Sequence, residues 1–428
     1  LRAPPLPLGS SAVTIGHMPA RPVTTIATPA PAAPRSVLML GTFGVRSKGT
    51  LSARALGIGH ALRAHGWHVA LTTTPWDDPR DAGRVWDERG IRVSNTRARR
   101  PSTAPLAIAE MVAGALTAQP SLIHVFKPKG FGDLASRLLR HRLPVVVDMD
   151  DWEGDGGWND VSGYGHLERR LFDWQERSAP RWAPAVTTAS RLLQQRALAL
   201  GAPADRVFYV PNGLSRRRFS ELTIRSVPDS GTPSFHDPAP RILLYTRFVE
   251  FAPESLVPML TAVRRSFPEA RLVIAGRSAD GAAEERLLQA ARAGGVSDAI
   301  KLLGWIDPAA LPAISVNCDV AVHPFDDTLI NHAKSSVKLL ELMAAGIPVV
   351  TTAVGENTSF IEDGQSGFLV PPGDQAALAD AVSRLLANPL LGRRLAAQAR
   401  ARVEQRFLWD VIAPSVLEAY ARAVEERR

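Results

Sequence analysis

Lys334, Lys338 and Glu341 are the residues of this chain whose types and spacing most need a chemical explanation. They lie in NHAKSSVKLLELMAAGIPVV, residues 331–350, whose apolar spacing predicts a short helix over about 335–345. Ser335 or Ser336 is placed to cap its start, and Gly346 to end it in the left-handed conformation. Lys338 falls in the first turn, at the positive end of the helix dipole, and Glu341 towards the negative end; each placement costs about 0.3–1 kcal/mol. Lys ahead of Glu at this spacing is also the poorer ion-pair order. A bound anion removes the contradiction. Free N–H groups at the helix start, with Lys334, Lys338, Ser335 and Ser336, would hold a diphosphate, and Glu341 would accept two hydroxyl protons of the kind a ribose presents. The competing reading is a solvated amphipathic helix.

A second group of charges is Asp148-Met-Asp150-Asp151-Trp-Glu153, four carboxylates in six residues, where a predicted strand (145–148) ends. The Asp-x-Asp spacing is that of carboxylate pairs holding Mg²⁺ or Mn²⁺ on a diphosphate, a pattern common by chance; a calcium loop is excluded because Ser162 stands where its closing Glu belongs. Two further loops carry cations at strand ends. One is Gly41–Gly49, with Gly44, Arg46 and Lys48; the other holds Lys127 and Lys129. The first is neither a Gly-x-Gly-x-x-Gly fingerprint nor a P-loop, and Arg46, Lys48 and Lys127 are candidates for an anionic group.

These loops need strands and helices to place them. Short apolar runs at 36–40, 68–73, 91–93, 122–126, 145–148, 185–189 and 207–210 alternate with helical stretches, as in a parallel, doubly wound sheet. The same alternation restarts at 242–245 and continues through 271–275, 300–303, 320–323 and 347–352. The expected organisation is a disordered N-terminal extension (1–34), a first α/β domain (35–213), a Pro/Ser-rich linker (214–240), a second α/β domain (241–410) and a closing helical segment (411–428).

Composition narrows the partners. Residues 1–235 carry 30 Lys/Arg against 19 Asp/Glu, and the remainder 20 against 23, so the excess positive charge sits in the first half. That suits an anionic acceptor or membrane surface; Arg97, Arg99 and Arg100, ahead of an apolar helix at about 105–116, favour surface adsorption. No nucleic-acid motif accompanies the charge. One cysteine, Cys318, excludes an internal disulfide, and its apolar surroundings predict a buried, inert thiol. No apolar run approaches the ~20 residues of a membrane-spanning helix.

The stretch from Glu341 to Asp374 resembles family 4 glycosyltransferases. Glu341, Gly346, Pro348, Val349, Val350, Gly355, Gly364, Gly367 and Pro371-Pro372-Gly373-Asp374 follow the family pattern in order, and Pro211-Asn212-Gly213 matches its domain crossover. The family's first Glu is replaced by Ala333, within a Lys-Ser-x-x-Lys-x-x-Glu variant. The resemblance implies the GT-B fold, two Rossmann-like domains facing across a cleft, with the closing helix crossing back to pack on the first. It implies transfer of a sugar, with retention, from a nucleoside diphosphate sugar such as a UDP- or GDP-sugar to a glycan, lipid or small-molecule acceptor. It further implies no metal and no cofactor, in the cytoplasm or at the inner membrane face. By this resemblance Glu341 holds the donor ribose and Arg247 the diphosphate; a Gly-started loop opening a new helix sets the backbone of Glu356, Asn357 and Thr358 to touch donor sugar or phosphate. Asp150, beside Asp151, takes the place of a family His facing the acceptor, where it would orient or deprotonate a hydroxyl. The family's Lys a few residues after Arg247 is absent, with Glu250 among the residues there. A nucleotide-sugar epimerase of the same fold and a non-catalytic sugar-nucleotide binder are the alternatives.

Overall fold

A computed structural model describes residues 35–46, 51–98, 101–223 and 239–427. Residues 1–34, Lys48, Arg99, Arg100 and 224–238 lie outside the described residues, and with them the expected extension, one loop cation, part of the basic cluster and most of the linker.

The first sheet contains β1 (Ser36–Gly41), β2 (His68–Thr73), β3 (Val85–Glu88), β4 (Ile91–Asn95), β5 (Leu122–Phe126), β6 (Val145–Met149), β7 (Ala185–Thr188) and β8 (Val207–Tyr209), in the order β3-β4-β2-β1-β5-β6-β7-β8. All pairings are parallel except β3 with β4. That hairpin is absent from the sequence reading because Val-Trp-Asp-Glu alternates only between exposed and half-buried positions. Helices cover both faces, so every residue of β5 and β6 is buried. The register sets Phe126 beside Asp148 and Asp148 beside Thr187, so the loops bearing Lys127 and Asp150 leave the same edge.

The second sheet is wholly parallel: β9 (Arg241–Tyr245), β10 (Arg271–Ala275), β11 (Ile300–Gly304), β12 (Val320–His323), β13 (Val349–Thr352) and β14 (Phe368–Val370), ordered β11-β10-β9-β12-β13-β14. Strand order reverses between β9 and β12, which opens a crevice outside their carboxyl ends. Arg247 follows β9, and the segment to Lys338 follows β12, so both flank that crevice.

One element differs from the sequence reading, and two add detail to it. Residues 214–223, read as linker, hold the helix Arg216–Thr223, whose Phe219 and Leu222 are buried with Leu340 and Met343 of the second lobe. The helical stretch that follows the Gly41–Gly49 loop begins with a π-helical turn, Leu51–Ala55, that carries Arg54 into the interior. The last helix spans Trp409–Glu425 and, as the resemblance implies, returns to the first lobe, where Trp409, Ile412, Val416 and Tyr420 join the core of the first sheet. Its fit is close: a Cβ on Gly57 would stand 2.1 Å from Trp409 Nε1. Among the described residues no helix is long and apolar enough to cross a membrane. Cys318 is half-buried and its thiol is pushed up to about 12, chiefly by burial, so it is unreactive.

Candidate active site

The helix Val337–Ala344 starts on Ser336, whose Oγ accepts the Leu339 N–H at 3.3 Å and meets His323 Nε2 at 2.9 Å. Burial pushes His323 down to about 4, so it adds no charge there. Gly346 follows the helix at φ +71°, as the spacing predicts. Lys338 extends from the first turn, its Nζ 5.5 Å from the centre of the Tyr245 ring. Burial lowers its pKa; Glu250 opposes this and Arg247 reinforces it. Arg247 is exposed, and among the described residues neither cation is ion-paired. Two like charges thus flank one crevice with no direct ion pair, Glu250 and Glu341 acting on Lys338 from beyond pairing distance, and Lys338 is desolvated at the positive end of a helix. Local packing does not favour this arrangement, and an anion would.

Lys334 is different. Its Nζ lies 2.9 Å from Glu250 Oε1 and 5.4 Å from the centre of the Trp158 ring, which belongs to the first lobe. Glu250 is half-buried, but Lys334 and Lys338 outweigh its desolvation and lower its pKa. Glu341 is not a lone acid: Arg218 Nε donates to its Oε1 at 2.7 Å, and burial, with the Glu341 charge, raises the pKa of the neighbouring Tyr245.

Several other residues expected at the donor are occupied by the protein itself. Ser335 Oγ accepts the Asn212 N–H at 2.9 Å, and its carbonyl accepts Asn212 Nδ2 at 2.8 Å, tying the crossover turn to the second lobe. The Glu356 carboxylate is buried and receives the Tyr209 hydroxyl at 2.5 Å and the Arg191 N–H at 2.6 Å, both from the first lobe. Asn357 Nδ2 donates to Thr351 Oγ1, and Thr358 Oγ1 donates to the Gly355 carbonyl. The side chains of Glu356, Asn357 and Thr358 are therefore scaffold, and Glu356 latches the lobes together. Ala333, at the place of the missing acid, packs against Ala189 and Leu193 across the same boundary.

On the opposite wall the four carboxylates separate by their cations. Asp148 is fully buried and binds Arg54 through both oxygens, at 2.7 and 2.6 Å, and also accepts the Thr187 hydroxyl. Its oxygens are thus taken, so the Asp-x-Asp spacing does not present a pair of free carboxylates to a metal. Arg54 also reaches the Val210 carbonyl and Asn212 Oδ1. Lys127, held at φ +65°, sets its Nζ 2.5 Å from Asp151, 2.7 Å from Glu153 and 3.5 Å from Asp150. Lys129 takes the other Glu153 oxygen at 2.5 Å. Glu153 is buried, yet Lys127 and Lys129 hold it down at about 2. Lys127, expected to bind an outside anion, is thus satisfied from within.

Charge bookkeeping isolates Asp150. Two lysines balance Asp151 and Glu153, and Arg54 balances Asp148, which leaves Asp150 as an extra buried acid. Burial, with the Asp151 and Asp148 charges, raises it to about 7 against the pull of Lys127, and its Oδ1 has no hydrogen-bond partner. In the remaining loop the Gly44 N–H donates to Asp77 Oδ1 at 2.9 Å, and Arg46 lies 3.4 Å from Asp81 with its guanidinium over Trp86. Arg97, of the expected basic cluster, is paired with Glu110.

Arg54, Arg218 and Glu250 are site neighbours that the sequence reading missed. For Arg218 a signal existed: Phe219 and Leu222 at i,i+3 mark a helix within the apparent linker. Replacing Arg54 by Met leaves the Asp148 charge buried and unpaired. We expect a loss of about 3–5 kcal/mol in stability, read as a lowered urea midpoint.

The family model described as "Glycosyl transferases group 1" matches residues 239–388, and that described as "Glycosyl transferase 4-like domain" matches residues 49–213. The chain belongs to the family 4, group 1 glycosyltransferases. It is 36% identical over 165 residues to phosphatidyl-myo-inositol mannosyltransferase of Mycobacterium leprae (39% of this chain, 41% of the relative). It is 31% identical over 290 residues to glycogen synthase of Mycobacterium tuberculosis (67% of this chain, 65% of the relative). The matched stretches are thus less than two thirds of those relatives. The fold is GT-B: sucrose-phosphate synthase of Thermosynechococcus elongatus aligns with TM-score 0.68 at 21% identity, over 92% of this chain and 100% of that one. Anabaena HepE in complex with UDP aligns with TM-score 0.66 at 19% identity, over 90% and 99%.

Proposed function

We propose that this protein transfers a sugar, with retention, from a nucleoside diphosphate sugar to an acceptor hydroxyl bound by the first lobe. The observation that carries this reading is the pair Arg247, after β9, and Lys338, in the first turn of a helix, neither in a direct ion pair among the described residues and both flanking the crevice where strand order reverses. Cleavage of the bond between the sugar C1 and the diphosphate oxygen leaves charge on the phosphate, and these fixed cations stabilise it, the part a metal plays elsewhere. The acceptor oxygen bonds to C1, and Asp150 orients that hydroxyl and takes its proton. Glu341, positioned by Arg218, receives the ribose hydroxyls.

A UDP-sugar is the favoured donor, because HepE was solved with UDP and with UDP-glucose. The mannosyltransferase and glycogen synthase relatives support a glycan or lipid acceptor, in envelope or glycoside synthesis. The positive first half favours an anionic acceptor or membrane surface on the cytoplasmic side. A thermal-shift screen of UDP-, GDP-, ADP- and dTDP-sugars tests the donor: at a hundred times Kd the right donor adds about 2.7 kcal/mol of stability. Release of the nucleoside diphosphate with glycosylated acceptor is the expected outcome. An epimerised donor with no transfer would overturn the reading in favour of an isomerase.

A further inference from the structure

A cavity of about 420 Å³ opens behind the lobe latch, away from Arg247, Lys338 and Asp150. Its walls come from three places: Arg191 and Tyr209 of the first lobe, Ser359 of the second, and Arg402, Arg406 and Ser415 of the two C-terminal helices. We infer that this cavity is a second binding site, for a small phosphomonoester such as a sugar phosphate.

The charges decide the class of ligand. Arg402 is fixed by the protein: Nε donates to the Phe360 carbonyl, NH2 to the Ser359 carbonyl, and NH1 pairs with Glu362. The Arg191 guanidinium lies 3.7 Å from the centre of the Tyr209 ring and donates to the neutral Gln194, so its charge is not cancelled. Arg406 is exposed and, among the described residues, has no ion-pair partner. Two uncompensated guanidinium groups on one cavity match a phosphomonoester, which carries about −1.5 to −2 at neutral pH. Their planar forks suit phosphate oxygens, and the Ser359 and Ser415 hydroxyls add neutral donors. Tyr209 and Phe407 supply apolar walls for the body that carries the phosphate. The volume falls within the roughly 300–1,000 Å³ of ligand pockets.

The site is adjacent to the latch: Tyr209 gives its hydroxyl, and Arg191 its backbone N–H, to Glu356. It is independent of the donor reading, and the test keeps the two apart. Glucose 6-phosphate, inorganic phosphate and glucose are titrated calorimetrically into the wild-type chain and into Lys338→Ala, Arg406→Glu and Ser415→Asp. We expect glucose 6-phosphate to bind wild type and Lys338→Ala equally, and each of the other two variants at least tenfold more weakly. Glucose alone should not bind. Tighter binding of glucose 6-phosphate than of phosphate identifies an organic ligand, and equal binding identifies phosphate itself. No binding to wild type, or binding lost in Lys338→Ala and kept in Arg406→Glu, overturns the proposal.

Discussion

Lys338→Ala should weaken binding of a nucleoside diphosphate about tenfold to a hundredfold and leave binding of the free nucleoside almost unchanged. The magnitude follows from the roughly 1.5–3 kcal/mol of a charge-assisted contact, at 1.4 kcal/mol per decade. The selectivity follows from geometry: Lys338 and Arg247 flank the crevice without a direct ion pair, while ribose recognition is assigned to Glu341 one turn on. Stability should move the other way. The ammonium is desolvated, near Arg247, and at the positive end of a helix, so its removal should hold or raise the melting temperature of the unliganded protein. Calorimetric titration of UDP and uridine into both proteins measures the first effect. Equal losses for the two ligands would separate Lys338 from the phosphate.

Asp150→Asn should lower turnover by about 10²–10⁴, the range of general acid–base assistance. The native enzyme needs this carboxylate ionised to take a proton, so its rate should rise with pH through about 7, and that limb should vanish in the variant. Stability gives an independent readout. The folded-state value, about 7, lies above the ordinary 3.8. Between those values the folded chain keeps a proton that the unfolded chain has released, so this group's contribution to stability falls as pH rises and levels off above 7. Asp150→Asn removes that fall and should gain stability over the native protein at pH 8. Asp151→Asn, which removes a neighbouring charge near Lys127, should instead lower the Asp150 value and move the rate limb to lower pH. Unchanged turnover in Asp150→Asn would leave the proton to the departing phosphate.

The parts legible in the sequence were those set by local order. Strand–helix alternation gave two doubly wound sheets, because buried parallel strands read as unbroken apolar runs. Lys338 was visible because it violates helix electrostatics within its own turn. Pairings between distant segments were not legible. Arg54 meets Asp148 and Asn212 across 94 and 158 residues, and Arg218 meets Glu341 across 123. Such contacts are fixed by tertiary closeness, and no local pattern announces them. The same limit explains Lys127 and Glu356. The Lys127 side chain is expected to meet an anion and the Glu356 backbone the donor, yet the side-chain partners that hold each are invisible, because residue type tells what a group can bind and not what already holds it. Asp150 stands between these cases: its position pointed to the acceptor, but its protonation depends on a balance of cations from two other segments.

The return of the helix Trp409–Glu425 to the first sheet has a consequence for biosynthesis. The early half of the chain cannot close its apolar interior until Trp409, Val416 and Tyr420 have emerged from the ribosome, because they form one side of it. The second lobe, whose strands lie between residues 241 and 370, has all its sheet partners sooner. Order of synthesis and order of completion are therefore reversed, and a nascent chain halted before residue 409 would display an unfilled apolar trough of the kind chaperones recognise.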